Sequence, residues 1–89
     1  METTKLRILR LRHNIPLSEL ASAAGISVQH LSRLELGVVN PTVRQEQKVN
    51  DAMSRLICNR QTKILELERD YLSHQGNLLQ VTEESEYDQ

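Results

Sequence analysis

The sequence is nearly without aromatic residues: no Trp, no Phe, and Tyr only at positions 71 and 87. A core must therefore be assembled from Leu, Ile, Val and Ala. That is thin for a chain of 89 residues and points to oligomerisation as a source of stability. The single cysteine, Cys58, excludes a disulfide framework and offers no zinc-ligand spacing. No apolar run approaches the roughly 20 residues of a membrane span. The opening METTKLRILRLRHN is interrupted by Arg too often for a signal peptide, so a cytoplasmic location is expected. There is no Gly-rich phosphate loop and no internal repeat. His13, His30, His74 and Cys58 fall at no spacing that nucleophilic catalysis or a metal ion requires. Neither an enzyme, nor a cofactor, nor a small-molecule ligand is expected.

The net charge of −1 hides a division of sign. Residues 1–60 carry nine basic against five acidic side chains, or +4, and residues 61–89 carry two against seven, or −5. A basic head favours contact with phosphate, and an acidic end repels it. The near-neutral total thus leaves nucleic-acid binding open.

The most informative stretch is Leu17 to Gly37, LSELASAAGISVQHLSRLELG. Leu20, Ala21 and Ala24 recur at helical spacing, Gly25 breaks the pattern where a left-handed residue is cheap, and Ser27 follows as a helix N-cap. Ile26, Leu31 and Leu34 form the apolar face of the next helix, which Gly37 ends. Val28, Gln29, His30, Ser32 and Arg33 lie between them and face outward. Two short helices with a tight turn, the second presenting polar side chains, is the layout of a helix-turn-helix whose second helix enters the major groove.

Residues 6–42 resemble the XRE/Cro-repressor family of helix-turn-helix domains. The resemblance is carried by Leu6, Leu9 and Arg10, by Ser18 to Ala21, by Ala24 to Ser27, and by L-S-R-L-E-x-G-x-x-N-P-T from Leu31 to Thr42. It implies an all-α, lambda-repressor-like bundle; the long C-terminal helix added to it is read from residues 43–75, outside the resemblance. It also implies that Leu6, Leu9 and Arg10 face the core and that Arg10 pairs with Glu35. The chain departs from the family at Pro16 and Leu17, where many members carry a capping Ser and a DNA-touching Gln. It departs again at Leu36, Val38 and Val39, where polar or basic residues are common. Three apolar residues there suggest burial against a later segment or a partner.

On this reading Gln29 suits bidentate bonding to adenine and Arg33 to guanine, while Val28 can touch a thymine methyl. Ser27, Ser32 and Asn40 suit phosphate, which sets register rather than sequence. His30 is compatible with a base contact, a phosphate contact or simple exposure.

Around this centre, Thr3 or Thr4 is expected to cap a first helix running to about His13. Ile8 and Leu11 make that helix apolar on more than one side, as for a broad core or a partner-facing patch. Pro16 is expected near the first position of the second helix. Thr42 and Gln45 form a capping box. Neither Gly nor Pro occurs from Val43 to Gln75, which reads as one long helix or two with a bend, ended by Gly76-Asn77. Its first turns are polar, either as an exposed lead-in or because the core helix starts only near Val49. Val49, Ala52, Met53, Leu56 and Ile57 would then close the small domain.

Ile57, Ile64 and Tyr71 are spaced by seven, with Leu67 between, a short coiled-coil-like stripe assigned to a dimer interface. The rival is a fold-back that hides the stripe against Ile8, Leu11, Val38 and Val39. The expected organisation is a DNA-binding domain over 1–58, a helical extension for dimerisation over 59–76, and an acidic, disordered tail over 77–89. The expected function is a sequence-specific transcriptional regulator that binds double-stranded DNA, a repressor acting as a homodimer on a palindromic operator. The alternative is a protein-interaction module on the same scaffold, such as an antitoxin or antirepressor subunit.

Overall fold

The computed structural model describes residues 3–81. It contains four helices, α1 (Lys5–Arg12), α2 (Leu17–Ala24), α3 (Val28–Glu35) and α4 (Val43–Ser73), and no strand among the described residues. The chain divides after Asn59 into two units. The acidic segment from Thr82 lies outside the described residues.

Each of the three short helices ends in the same way. Asn14 (φ 56), Gly25 (φ 66) and Gly37 (φ 75) adopt left-handed backbone. Each donates its N–H to the carbonyl three residues back: Leu11, Ser22 and Leu34. The following residue, Ile15, Ile26 or Val38, donates to Arg10, Ala21 or Arg33. These paired bonds form the Schellman motif, which satisfies helix-end carbonyls and turns the chain sharply. Two of the following apolar residues then enter the core, Ile15 fully and Ile26 in part, whereas Val38 remains 67% exposed.

The helix starts are equally local. Thr4 caps α1 and accepts from the Arg7 N–H at 3.3 Å. Ser27 caps α3 and accepts from the His30 N–H at 3.1 Å. Pro16, expected near the first position of α2, is its N-cap, with extended backbone (ψ 140) and no side-chain cap. Thr42 and Gln45 exchange reciprocal bonds at 3.0 and 3.1 Å, so α4 starts at Val43. Its polar first turns are helical and mostly exposed, which decides between the two readings of that stretch. One unbroken helix follows to Ser73, two residues short of the expected end.

The core of the first unit is Ile15, Leu20, Ala21, Ala24, Leu31, Leu34, Ala52 and Leu56, with Leu6, Leu17, Val39, Val49 and Met53 packed on it. Two expectations are corrected. Leu9 is 43% exposed: Leu6 and Arg10, four residues apart, point inward, and Leu9 lies about 80° from their mean direction, on the flank. Ile57 is half exposed because α4 buries Ala52 and Leu56, one turn apart, and Ile57 falls beyond that face. Ile8 and Leu11 are exposed, which favours a surface patch over a broad core. Arg55 ties α4 to the end of α2 by donating to the Ala23 carbonyl at 2.6 Å.

In the second unit, Ile64, Leu65, Leu67, Tyr71 and Leu72 are exposed along α4, and Leu78, Leu79 and Val81 beyond it are exposed too. No helix among the described residues is long and apolar enough to cross a membrane.

Candidate nucleic-acid interface

The geometry of α3 follows from what holds its inner side. Leu31 and Leu34 are buried in the core, and Glu35 is buried completely. The Glu35 carboxylate receives Arg10 Nε at 2.7 Å on one oxygen and Arg10 Nη2 at 2.9 Å on the other. Arg10 Nη1 donates to the Ile15 carbonyl at 2.9 Å. The guanidinium therefore bridges α3, α1 and the turn into α2. A bidentate fork of this kind fixes orientation as well as position.

The end of α3 is pinned a second time. The Glu35 carbonyl accepts from the Thr4 N–H at 3.1 Å, from the Thr4 hydroxyl at 2.8 Å and from the Thr3 hydroxyl at 3.3 Å. Thr4 thus caps its own helix and the last turn of α3 at once. No buried side-chain nitrogen or oxygen among the described residues lacks a partner.

With its inner face fixed, α3 presents Val28, Gln29 and Arg33 to solvent, and Ser27 at its cap is exposed as well. Gln29 and Arg33 are four residues apart and so share one face of the helix. Asn40 is exposed in the loop between α3 and α4. His30 and Ser32, expected to face outward, are half-buried. The His30 ring leans on α4, where its Nε2 lies 2.8 Å from Gln45 Nε2. Sequence reasoning identified Gln45 as a cap and missed this second contact, because nothing in local spacing joins residues 30 and 45. Arg44 is also exposed in the first turn of α4.

The arrangement can do one kind of chemistry well. It offers hydrogen-bond donors and acceptors of fixed spacing from a rigid helix, with a cation at Arg33 and small polar groups at the edges. That suits recognition of a surface lined with base-edge donors and acceptors and flanked by phosphates. No group of three or more His, Cys, Asp or Glu able to hold a metal ion occurs among the described residues.

A family model described as helix-turn-helix matches residues 6–53, which covers α1 from its second residue, α2, α3 and the first part of α4. No curated protein and no solved structure matches the chain.

Proposed function

The chain belongs to the XRE-type helix-turn-helix family of DNA-binding regulators, and we propose that it is a sequence-specific repressor that occupies a palindromic operator as a homodimer. The observation that carries the reading is the two-sidedness of α3. Its inner face is locked by Leu31, Leu34 and the Arg10–Glu35 fork, so the outward Gln29 and Arg33 are held without the freedom of loop residues. Rigid placement is what direct readout of base edges demands, since the hydrogen-bond patterns of the four base pairs differ by ångströms.

In this reading Gln29 and Arg33 read bases, Val28 meets a thymine methyl, and Ser27, Ser32 and Asn40 bind phosphate. His30 contributes from the edge of the same surface. Repression is by occupancy: a protein seated over a promoter excludes the polymerase without any catalytic step. The dimer is supported by the exposed stripe Ile57, Ile64, Leu67 and Tyr71, and two-fold proteins of this class read half-sites about one helical turn apart.

The stripe also favours a second reading, in which the chain is chiefly a protein-interaction module such as an antitoxin or antirepressor subunit. Selection of bound sites from random duplexes separates the two. Enrichment of an inverted repeat supports the repressor. Failure to enrich any sequence, with co-purification of an unrelated protein, supports the interaction module.

A further inference from the structure

A chain of three hydrogen-bonding groups joins the start of α4 to one ring in α3. The Thr42 backbone N–H can only donate, and it lies 3.0 Å from Gln45 Oε1. That bond fixes the Gln45 amide with its oxygen towards Thr42 and its nitrogen elsewhere. The nitrogen is then the atom 2.8 Å from His30 Nε2. An amide NH2 has protons and no lone pair to offer. Two donors do not sit at that separation, so His30 Nε2 holds the lone pair and accepts. A neutral imidazole with Nε2 unprotonated carries its proton on Nδ1. The bond that starts α4 thus also selects the tautomer of a residue in the helix proposed to read DNA.

We propose that Gln45 is a positioning residue for DNA binding: it holds His30 as the neutral Nδ1–H tautomer, so that α3 presents a ring N–H donor to the duplex. This rests on the reading of α3 as the DNA-contacting helix. The donor selects for an acceptor, either a phosphate oxygen or a purine N7 or O6 in the major groove. It selects against a base-edge amine, such as that of cytosine. The other tautomer would place a lone pair at Nδ1, which a phosphate oxygen repels. The bond to Gln45 holds the ring at its Nε2 side, which restricts rotation of the ring.

Proton–nitrogen correlation spectra of the intact, isotope-labelled chain in mildly alkaline buffer test the first step. His30→Ala identifies the ring signal. The expected result is a proton on Nδ1 and none on Nε2. Gln45→Glu then separates the two duties of Gln45. A glutamate still accepts from the Thr42 N–H, so the capping box survives. It presents a carboxylate oxygen to the ring in place of an amide donor. The expected spectrum shows Nε2 protonated, with helix content unchanged by circular dichroism. A wild-type ring protonated on Nε2, or a ring spectrum unmoved by Gln45→Glu, overturns the proposal. The wild-type spectrum decides by itself if the variant does not fold.

Binding to a duplex selected from a random pool, and to an unselected duplex, tests the second step. His30→Ala is expected to weaken binding about fivefold, the loss of one neutral hydrogen bond. An equal loss on both duplexes assigns the acceptor to phosphate, and a loss confined to the selected duplex assigns it to a base. No loss with His30→Ala while Arg33→Ala still weakens binding overturns the role of the ring and leaves α3 as the reader. No loss with either variant overturns the reading of α3 itself.

Discussion

Arg10 and Glu35, twenty-five residues apart, form a buried two-pronged ion pair, with Nε to Oε2 at 2.7 Å and Nη2 to Oε1 at 2.9 Å. Their side chains are 8% and 0% exposed. A pair so placed has exchanged the hydration of two charges for each other, and its net contribution over a well-packed apolar pair is small. Removing one partner is another matter, because the survivor stays buried without a counter-charge.

Glu35→Ala is therefore expected to cost about 3–5 kcal/mol of stability. For a domain of this size that lowers the melting temperature by well over 10 °C. DNA affinity should fall only as far as the folded fraction does, because Glu35 has no exposed surface with which to touch a duplex. The double variant Arg10→Met with Glu35→Leu is expected to regain much of the loss. Calorimetric melting of the three proteins checks this. A single variant that melts with the wild type would show the pair to be idle.

How much of this was legible in advance divides by sequence distance. The turn residues Gly25 and Gly37, the Ser27 cap and the Thr42–Gln45 box are local signals: each needs only neighbours within a few residues, and each stands in the sequence as a residue type with one cheap conformation. The left-handed Asn14 gives no such signal, because Asn tolerates φ > 0 without demanding it. The bonds from Thr3 and Thr4 to the Glu35 carbonyl and from Gln45 to His30 join residues 15 to 32 apart. No periodicity encodes them. The exposure of Leu9 escaped for a related reason. An apolar residue beside an inward face looks inward too, until the arginine that occupies that face is placed.

The reader residues are distinguished by where their loss is felt. Arg33→Ala and Gln29→Ala are each expected to lose about 1–3 kcal/mol on the selected operator and much less on unrelated DNA. Both side chains are exposed, so thermal stability should hardly move. Titration by fluorescence anisotropy on the two duplexes gives the comparison. Unchanged discrimination in both variants would remove α3 from the role of reader.

Phosphate contact makes a separate, sequence-independent prediction. A subunit that neutralises four to six phosphates is expected to give a log–log salt slope of about −4 to −5. The slope of the intact chain is the measurement. A response to salt that is flat across the range contradicts binding through the basic head.

The turn between α2 and α3 carries a conformational prediction. Gly25 has φ 66, and a Cβ built there meets no atom within 4 Å. The cost of Gly25→Ala is thus backbone strain alone, about 1–2 kcal/mol. Gly76 has equal space and no left-handed backbone, so Gly76→Ala should stay within about 0.5 kcal/mol of wild type. Chemical denaturation of both variants reads the difference. Equal midpoints would mean that the turn is not held in its left-handed form.

The last prediction concerns the apolar stripe of α4. Ile57, Ile64, Leu67 and Tyr71 are 50, 64, 65 and 45% exposed, and their spacing of seven, with Leu67 three beyond Ile64, matches the seam of a left-handed two-helix coil. A fully buried side chain of this kind contributes about 1.5–3 kcal/mol, whereas isolated apolar residues at the surface contribute nothing by staying wet. A second copy of the same helix supplies a complementary surface without any further assumption, because a two-fold interface pairs a patch with itself. Light scattering on the intact chain is expected to report a dimer at tens of micromolar. A form ending at Arg60, and the variant Ile64→Glu with Leu67→Glu, are expected to be monomeric. The double variant should keep the melting behaviour of the head, since neither residue is in its core. Loss of the dimer should weaken operator binding far more than it weakens binding to a single half-site. A monomeric intact chain ends the idea, and a truncated form that remains dimeric moves the interface into the head, where Ile8, Leu9, Leu11, Val38 and Val43 are among the exposed apolar residues.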